Sequence, residues 1–138
     1  MDRATLQQLA EVRLKDAEAL LSAGQWDGAY YLLGYCIECA LKACAARGFG
    51  LYQVPERTLI TTFYTHDFMK LLSISGIAPE MALKGDADSR FAANWELVRD
   101  WNESRRYGVG ISETLARGMY HAITDSQSGI LPWMKTQW

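Results

Sequence analysis

The sequence predicts an all-α fold, an up-and-down bundle of four to five helices. Three observations carry that expectation. Apolar residues recur at steps of three and four in several separate stretches, the signature of one buried helix face. Gly24, Gly48, Gly50, Pro55, Gly76 and Pro79 punctuate those stretches at helix-length intervals. The run "TLITTFY" (58–64) is the lone segment of strand-like composition, and a single strand has nothing to pair with.

Taken in order, residues 2–23 are expected to form the first helix, with Leu6, Ala10, Ala17, Leu20 and Leu21 on one face and Gly24 ending it. Arg13 lies seven residues after Leu6 and seven before Leu20, so a charge falls on the face that should be buried. Residues 26–47 form a second helix, apolar nearly all round, which calls for cover on most sides. Residues 49–64 are expected to be an irregular, extended loop. A short third helix follows at 66–75, with Thr65 as N-cap and Phe68, Leu71 and Leu72 inward. Residues 76–87 are expected to be a turn-rich connection. A fourth helix covers 88–101, where Phe91, Trp95, Val98 and Trp101 share a face. The segment "NESRRYGVG" (102–110) breaks it. Residues 112–127 form the last helix, with Ser112 as N-cap and Leu115, Met119, Ala122 and Ile123 inward. The apolar tail 129–138 needs a surface to dock on. Residues 1–138 are expected to form a single domain.

The chain has 138 residues and a formal net charge of −2, so no global field draws nucleic acid or an anionic surface towards it. A local basic patch is still compatible with that balance. The three cysteines, Cys36, Cys39 and Cys44, all fall in the second helix. With no signal peptide read ahead of them, they are expected to be reduced thiols in a cytoplasmic protein, packed as small apolar residues, with no metal site and no cofactor. Residues 29–46 approach the length of a membrane span, but Glu38 and Lys42 interrupt them and Asp27 and Arg47 flank them. The expectation is therefore a buried helix and no membrane partner.

Glu38 and Lys42 are the only charges in that stretch, four residues apart. In one reading they pair on a narrow solvated strip. In another, Glu38 points inward and meets Arg13 of the first helix, because a buried carboxylate needs a compensating partner. A third makes Arg13, Glu38 and Lys42 part of a functional site. His66 is either a capping or packing residue or an acid–base or nucleotide contact. Arg105, Arg106 and Tyr107, with Arg99 shortly before them, are the one basic cluster interleaved with aromatics. Such a cluster either ends a helix in solvent or holds phosphate and stacks a base.

The stretches "GAYYLLGYCIECALKACAARG", "THDFMKLL" and "WELVRDWNESRRYG", in that order, resemble the HEPN domain family (higher eukaryotes and prokaryotes nucleotide-binding) over roughly residues 4–125. The resemblance implies a four- or five-helix bundle that forms a homodimer with a cleft near the interface. It implies a role in toxin–antitoxin, phage-defence or RNA-processing systems, often beside a nucleotidyltransferase-type partner. Catalytic members cleave RNA without a metal through an Arg-x(4–6)-His motif. Arg106 matches the family arginine, but the histidine positions that follow it hold Ile111, Ser112 and Glu113. The resemblance therefore implies a non-catalytic nucleotide- or RNA-binding or protein-interaction module, with Arg105, Arg106, Tyr107 and His66 as contacts. The alternative is a metal-independent endoribonuclease in which His66 converges on Arg106 in space.

Overall fold

The computed structural model describes residues 1–50, 53–104 and 109–138. Among them are eight helices and no strand, an all-α bundle. The first two helices, α1 (Arg3–Ser22) and α2 (Trp26–Ala46), form an antiparallel hairpin. Leu6 at one end of α1 packs with Ala43 and Ala45 of α2, and Leu21 at the other packs with Ala29. Asp2 caps α1 by accepting from the Thr5 amide at 2.8 Å. Gly24 makes the turn with φ +72°, a backbone state that costs an L side chain strain and glycine none.

Helix α2 is the axis of the molecule. It packs on α1, on α4 (Phe68–Ser75), on α7 (Glu113–Thr124) and on α8 (Ile130–Lys135). Tyr30, Leu33, Cys36, Ile37, Ala40, Leu41 and Cys44 are all buried in one core with Phe68, Leu71, Val98, Met119 and Ile123. Each fully buried Leu, Ile or Phe here contributes about 1.5–3 kcal/mol of transfer free energy, which is why a helix with no polar face is stable at this position. No helix among the described residues is long and apolar enough to cross a membrane.

Three segments outside the expected helices are helical. The first is α3 (Arg57–Phe63), where an extended loop was expected. Its β-branched residues have no sheet to join, so the backbone bonds locally. The Thr61 and Thr62 hydroxyls donate to the carbonyls of Arg57 and Thr58, both at 2.9 Å. Phe63 anchors the turn beside Leu6, Ala43 and Ala45. The second is α5 (Ala78–Ala87), in place of a turn-rich connection. Pro79 stands in its first turn, where proline starts a helix rather than breaking one, and Met81 buries its inner face. The third is α8, at the apolar tail. Ile130, Leu131 and Met134 are buried in the main core, and the Trp133 ring meets Phe91 edge-on at 5.3 Å. Gly129 permits the bend into α8, since a Cβ there would lie 2.3 Å from the Asp125 carbonyl oxygen.

The remaining elements follow the sequence with small shifts. Helix α6 (Ser89–Arg99) buries Phe91, Trp95 and Val98, and Trp101 is buried just beyond its end. Ser112 caps α7, accepting from the Leu115 amide at 3.0 Å. Helix α4 starts at Phe68, and its cap is Asp67 rather than Thr65. The Asp67 carboxylate accepts from the Met69 and Lys70 amides at 2.9 and 3.2 Å, a charge-assisted bond that a threonine hydroxyl does not match. His66 therefore stands in the linker ahead of the helix, between α3 and α4.

Candidate functional site

The two charges in the middle of α2 are both inside. Glu38 is 4% exposed and Lys42 7%. One helical turn separates them, and the Lys42 ammonium donates to Glu38 Oε1 at 2.8 Å. The second carboxylate oxygen, Oε2, lies 2.8 Å from His66 Nδ1. On the other face of the ring, Nε2 lies 3.3 Å from Glu103 Oε2, in the short turn that follows α6. A chain of four ionisable groups thus runs from the core to the surface: Lys42, Glu38, His66, Glu103. The first two are dry; His66 and Glu103 are 36% and 44% exposed at their side chains.

The inward Arg13–Glu38 pair expected from periodicity does not form. Arg13 donates instead to Asp16, one turn along its own helix, at 2.7 Å. Both of those side chains are more than a third exposed, so neither is fully desolvated. Glu38 has no need of that cation, because Lys42 lies one turn away on the same helix and reaches it inside the bundle. The Lys42 ammonium also stands 5.7 Å from the centre of the Phe63 ring, a cation–π contact that offsets part of its desolvation.

Aromatic rings set the position of the histidine and of the turn carrying Glu103. Trp101 stacks on Phe68 at 5.1 Å with only 13° between the planes, and Tyr35 meets its edge at 5.5 Å. Tyr35 also meets the His66 ring edge-on at 5.9 Å. The indole lies directly over Gly34 of α2: a Cβ there would be 1.9 Å from Trp101 Cε2. Burial, and then a hydrogen bond with the Tyr31 hydroxyl, push the Tyr35 phenol well above its ordinary pKa, so it stays protonated at neutral pH.

His66 opens onto a cleft of about 440 Å³ between the α4 cap and the end of α6. Thr65, Asp67, Arg99, Asp100 and Glu103 are among its walls. Three of those side chains are carboxylates and one is a guanidinium, so the described part of the cleft is richer in acceptors than in phosphate-binding cations. The N-terminus of α4, a natural anion site, is already filled by the Asp67 carboxylate. Arg105, Arg106 and Tyr107 lie outside the described residues. They follow Glu103 and Ser104 in the chain. Past them, the Asp27 carboxylate at the start of α2 accepts from the Ile111 amide at 2.8 Å. The chain is therefore tied to the α2 side of the bundle both before and after that stretch.

Two other concavities lack this convergence. A groove of about 300 Å³ between α5 and α6 is walled mainly by Leu72, Met81, Phe91 and Trp95. Another, of about 480 Å³ between α1 and α7, has Arg117 and His121 in its wall. Arg117 there already donates to Glu113 at 2.7 Å and stacks on Trp26 at 5.0 Å.

The cysteines are free thiols. Burial raises Cys39 to about 11 and Cys44 to about 11, so neither is an activated nucleophile. Among the described residues no group of three His, Cys, Asp or Glu side chains is arranged to hold a metal.

Sequence reasoning singled out Glu38, Lys42 and His66 but missed Glu103, Tyr35 and Trp101 as their neighbours. Glu103 sits in a polar run, "NESRR", that carries no periodicity. The contact depends on where α6 ends, and only the fold supplies that. Set beside known proteins, the chain matches no family model, no curated protein and no solved structure.

Proposed function

We propose that this chain is a HEPN-type binding module, non-catalytic, that takes RNA or a nucleotide at the cleft beside His66. In this reading Arg105 and Arg106 contact phosphate and Tyr107 stacks a base. The acceptor-rich wall of Asp67, Asp100 and Glu103 receives hydrogen bonds from base or ribose donors. The observation that carries the non-catalytic reading is the missing motif histidine: the positions that would hold it after Arg106 are Ile111, Ser112 and Glu113. A general base needs a free ring nitrogen facing its substrate, and the charged His66 ring offers none, because Glu38 stands on Nδ1 and Glu103 on Nε2. The module acts as a homodimer, in a toxin–antitoxin or nucleotidyltransferase-linked setting. Fluorescence anisotropy with labelled single-stranded RNA tests the binding. The expected result is saturable binding that weakens with salt and is lost in the Arg105→Ala/Arg106→Ala variant. Unchanged binding by that variant, or none by the parent, refutes the assignment. Sedimentation velocity tests the dimer.

A second reading, the metal-independent endoribonuclease, is favoured by the 2.8 Å contact between Glu38 and His66 Nδ1. A buried carboxylate that orients an imidazole is the arrangement acid–base catalysis uses. RNA cleavage in the presence of a chelator, abolished in His66→Ala and in Arg106→Ala, would favour it over the binding module.

A further inference from the structure

The two contacts of His66 cannot both be hydrogen bonds when the ring is neutral. An imidazolium carries two N–H donors; a neutral imidazole carries one donor and one lone pair. Glu38 and Glu103 are carboxylates, which as anions only accept. With the ring charged, each accepts one N–H, at the 2.8 and 3.3 Å seen. With the ring neutral, one carboxylate faces a lone pair and is repelled.

The surroundings decide which contact yields. Glu38 is 5% exposed at its side chain, shares its other oxygen with Lys42, and is fixed within α2. Glu103 is 44% exposed, and its contact with His66 is the longer of the two. Among the described residues the buried carboxylate has only Lys42 and His66 as partners, whereas Glu103 is open to water. The neutral ring therefore keeps its proton on Nδ1 for Glu38, and Glu103 leaves. The other groups around the ring are Tyr35 on α2, held as a neutral phenol, Asp67 at the α4 cap, and Arg99 and Asp100 at the end of α6. Arg99 lies 3.7 Å from Glu96. Among the described residues no contact gives Glu103 a second cation in place of His66.

We propose that His66 is a proton-operated latch on the turn that leads into the Arg105–Tyr107 stretch. Charged, the ring ties Glu103 to the Glu38–Lys42 pair in the core and closes its own Nε2. On release of one proton to solvent, Glu103 detaches, Nε2 becomes a lone pair facing the cleft, and the described chain after Trp101 loses its tie to Glu38 through His66. The tie from Asp27 to Ile111 holds no histidine and is indifferent to this proton. The latch rests on these contacts alone and stands whether or not the cleft takes RNA.

Nuclear magnetic resonance on the full chain tests it, over about pH 5 to 8, the span in which histidine changes charge. The His66 ring, the Glu103 side-chain carboxyl and the Glu103 and Ser104 amides are followed together. The expected result is one shared titration curve for all of them in the parent protein, with the Ile111 amide flat. The carboxamide introduced by Glu103→Gln can accept from or donate to Nε2, so that variant keeps the turn docked throughout. It should lose most of the response at Ser104 while His66 still titrates. In His66→Gln the shared curve should vanish. A His66 titration with flat Glu103 and Ser104 signals overturns the latch. So does a Ser104 response of full size in Glu103→Gln, because it would then reach the backbone without the carboxylate.

Discussion

Gly34→Ala is the sharpest test of the packing that positions the cleft. The added methyl would stand 1.9 Å from Trp101 Cε2, 2.2 Å from Cδ2 and 2.2 Å from Nε1. Non-bonded carbons rest at about 3.5–4.0 Å, so more than an ångström must be found. Neither side has it to give. The glycine lies in the middle of a helix packed on several sides, and the indole is stacked on Phe68 with Tyr35 against its edge. Overpacking of this kind costs about 1–3 kcal/mol and occasionally more. A clash between a backbone-fixed methyl and a clamped ring belongs at the upper end. Against it stands the helix-propensity gain of alanine over glycine, about 1 kcal/mol. The net expectation is a loss of about 2 kcal/mol, read as a lower urea midpoint at unchanged m-value. Trp101→Phe in the same chain should recover part of the loss, because the smaller ring vacates the space. It also removes an indole N–H that is buried without a partner among the described residues. A Gly34→Ala variant as stable as the parent would refute the account of Trp101 as the wedge between α2 and the Glu103 turn.

Two further outcomes follow from titrating groups. The Asp88 carboxyl is held below its ordinary pKa, first by the Phe91 amide it caps and then by the Ser128 hydroxyl. A depressed carboxylate stabilises the fold above its unfolded pKa and stops doing so as pH falls through the folded value. Asp88→Asn, which keeps the cap, should therefore flatten the acid limb of a stability–pH curve; an unchanged limb would contradict this. Cys39 and Cys44 are raised by burial to about 11, so the folded state keeps them neutral after the unfolded thiols ionise. Stability should fall between the ordinary thiol pKa and about 11, and Cys39→Ala/Cys44→Ala should shallow that fall in alkaline melts.

Most of the fold was legible where burial is periodic. The faces of α1, α6 and α7 appear in the spacing of Leu6, Ala10, Phe91, Val98 and Met119, all of which are buried, and the central place of α2 in its being apolar nearly all round. Helices α3, α5 and α8 were not legible, for three different reasons. Thr58, Ile60, Thr61 and Thr62 carry strand propensity that tertiary context overrides. Pro79 and Gly85 read as breakers although one opens a helix and the other is tolerated inside it. The tail is six residues of helix whose stability comes entirely from the core it lands on. At the site, the apolar flanks of Glu38 and Lys42 left a solvated strip and an inward Glu38 both open, and the structure buries both charges. The identity of the third partner could not be anticipated. Heptad spacing put Arg13 on the inner face, but a long side chain at the edge of a stripe can turn outward, and Asp16 holds it there.

The Lys42–Glu38 pair raises a question that stability alone does not answer. Replacing a buried ion pair by apolar residues of similar size is often neutral, or stabilising by about 1–4 kcal/mol, whereas removing one partner costs about 3–5 kcal/mol. Lys42→Met should therefore destabilise by about 3 kcal/mol, the lower end of that range, because His66 still compensates Glu38. Glu38→Met/Lys42→Met should restore stability to that of the parent or above. Such a double variant would keep the bundle and lose the carboxylate that holds His66 Nδ1. The shared titration of the His66 ring and the Glu103 turn should then disappear from a protein that is otherwise intact. That separation would assign the charged pair in α2 to the orientation of the histidine rather than to the stability of the helix. A double variant that unfolds as readily as Lys42→Met would instead make the pair a structural necessity of this core.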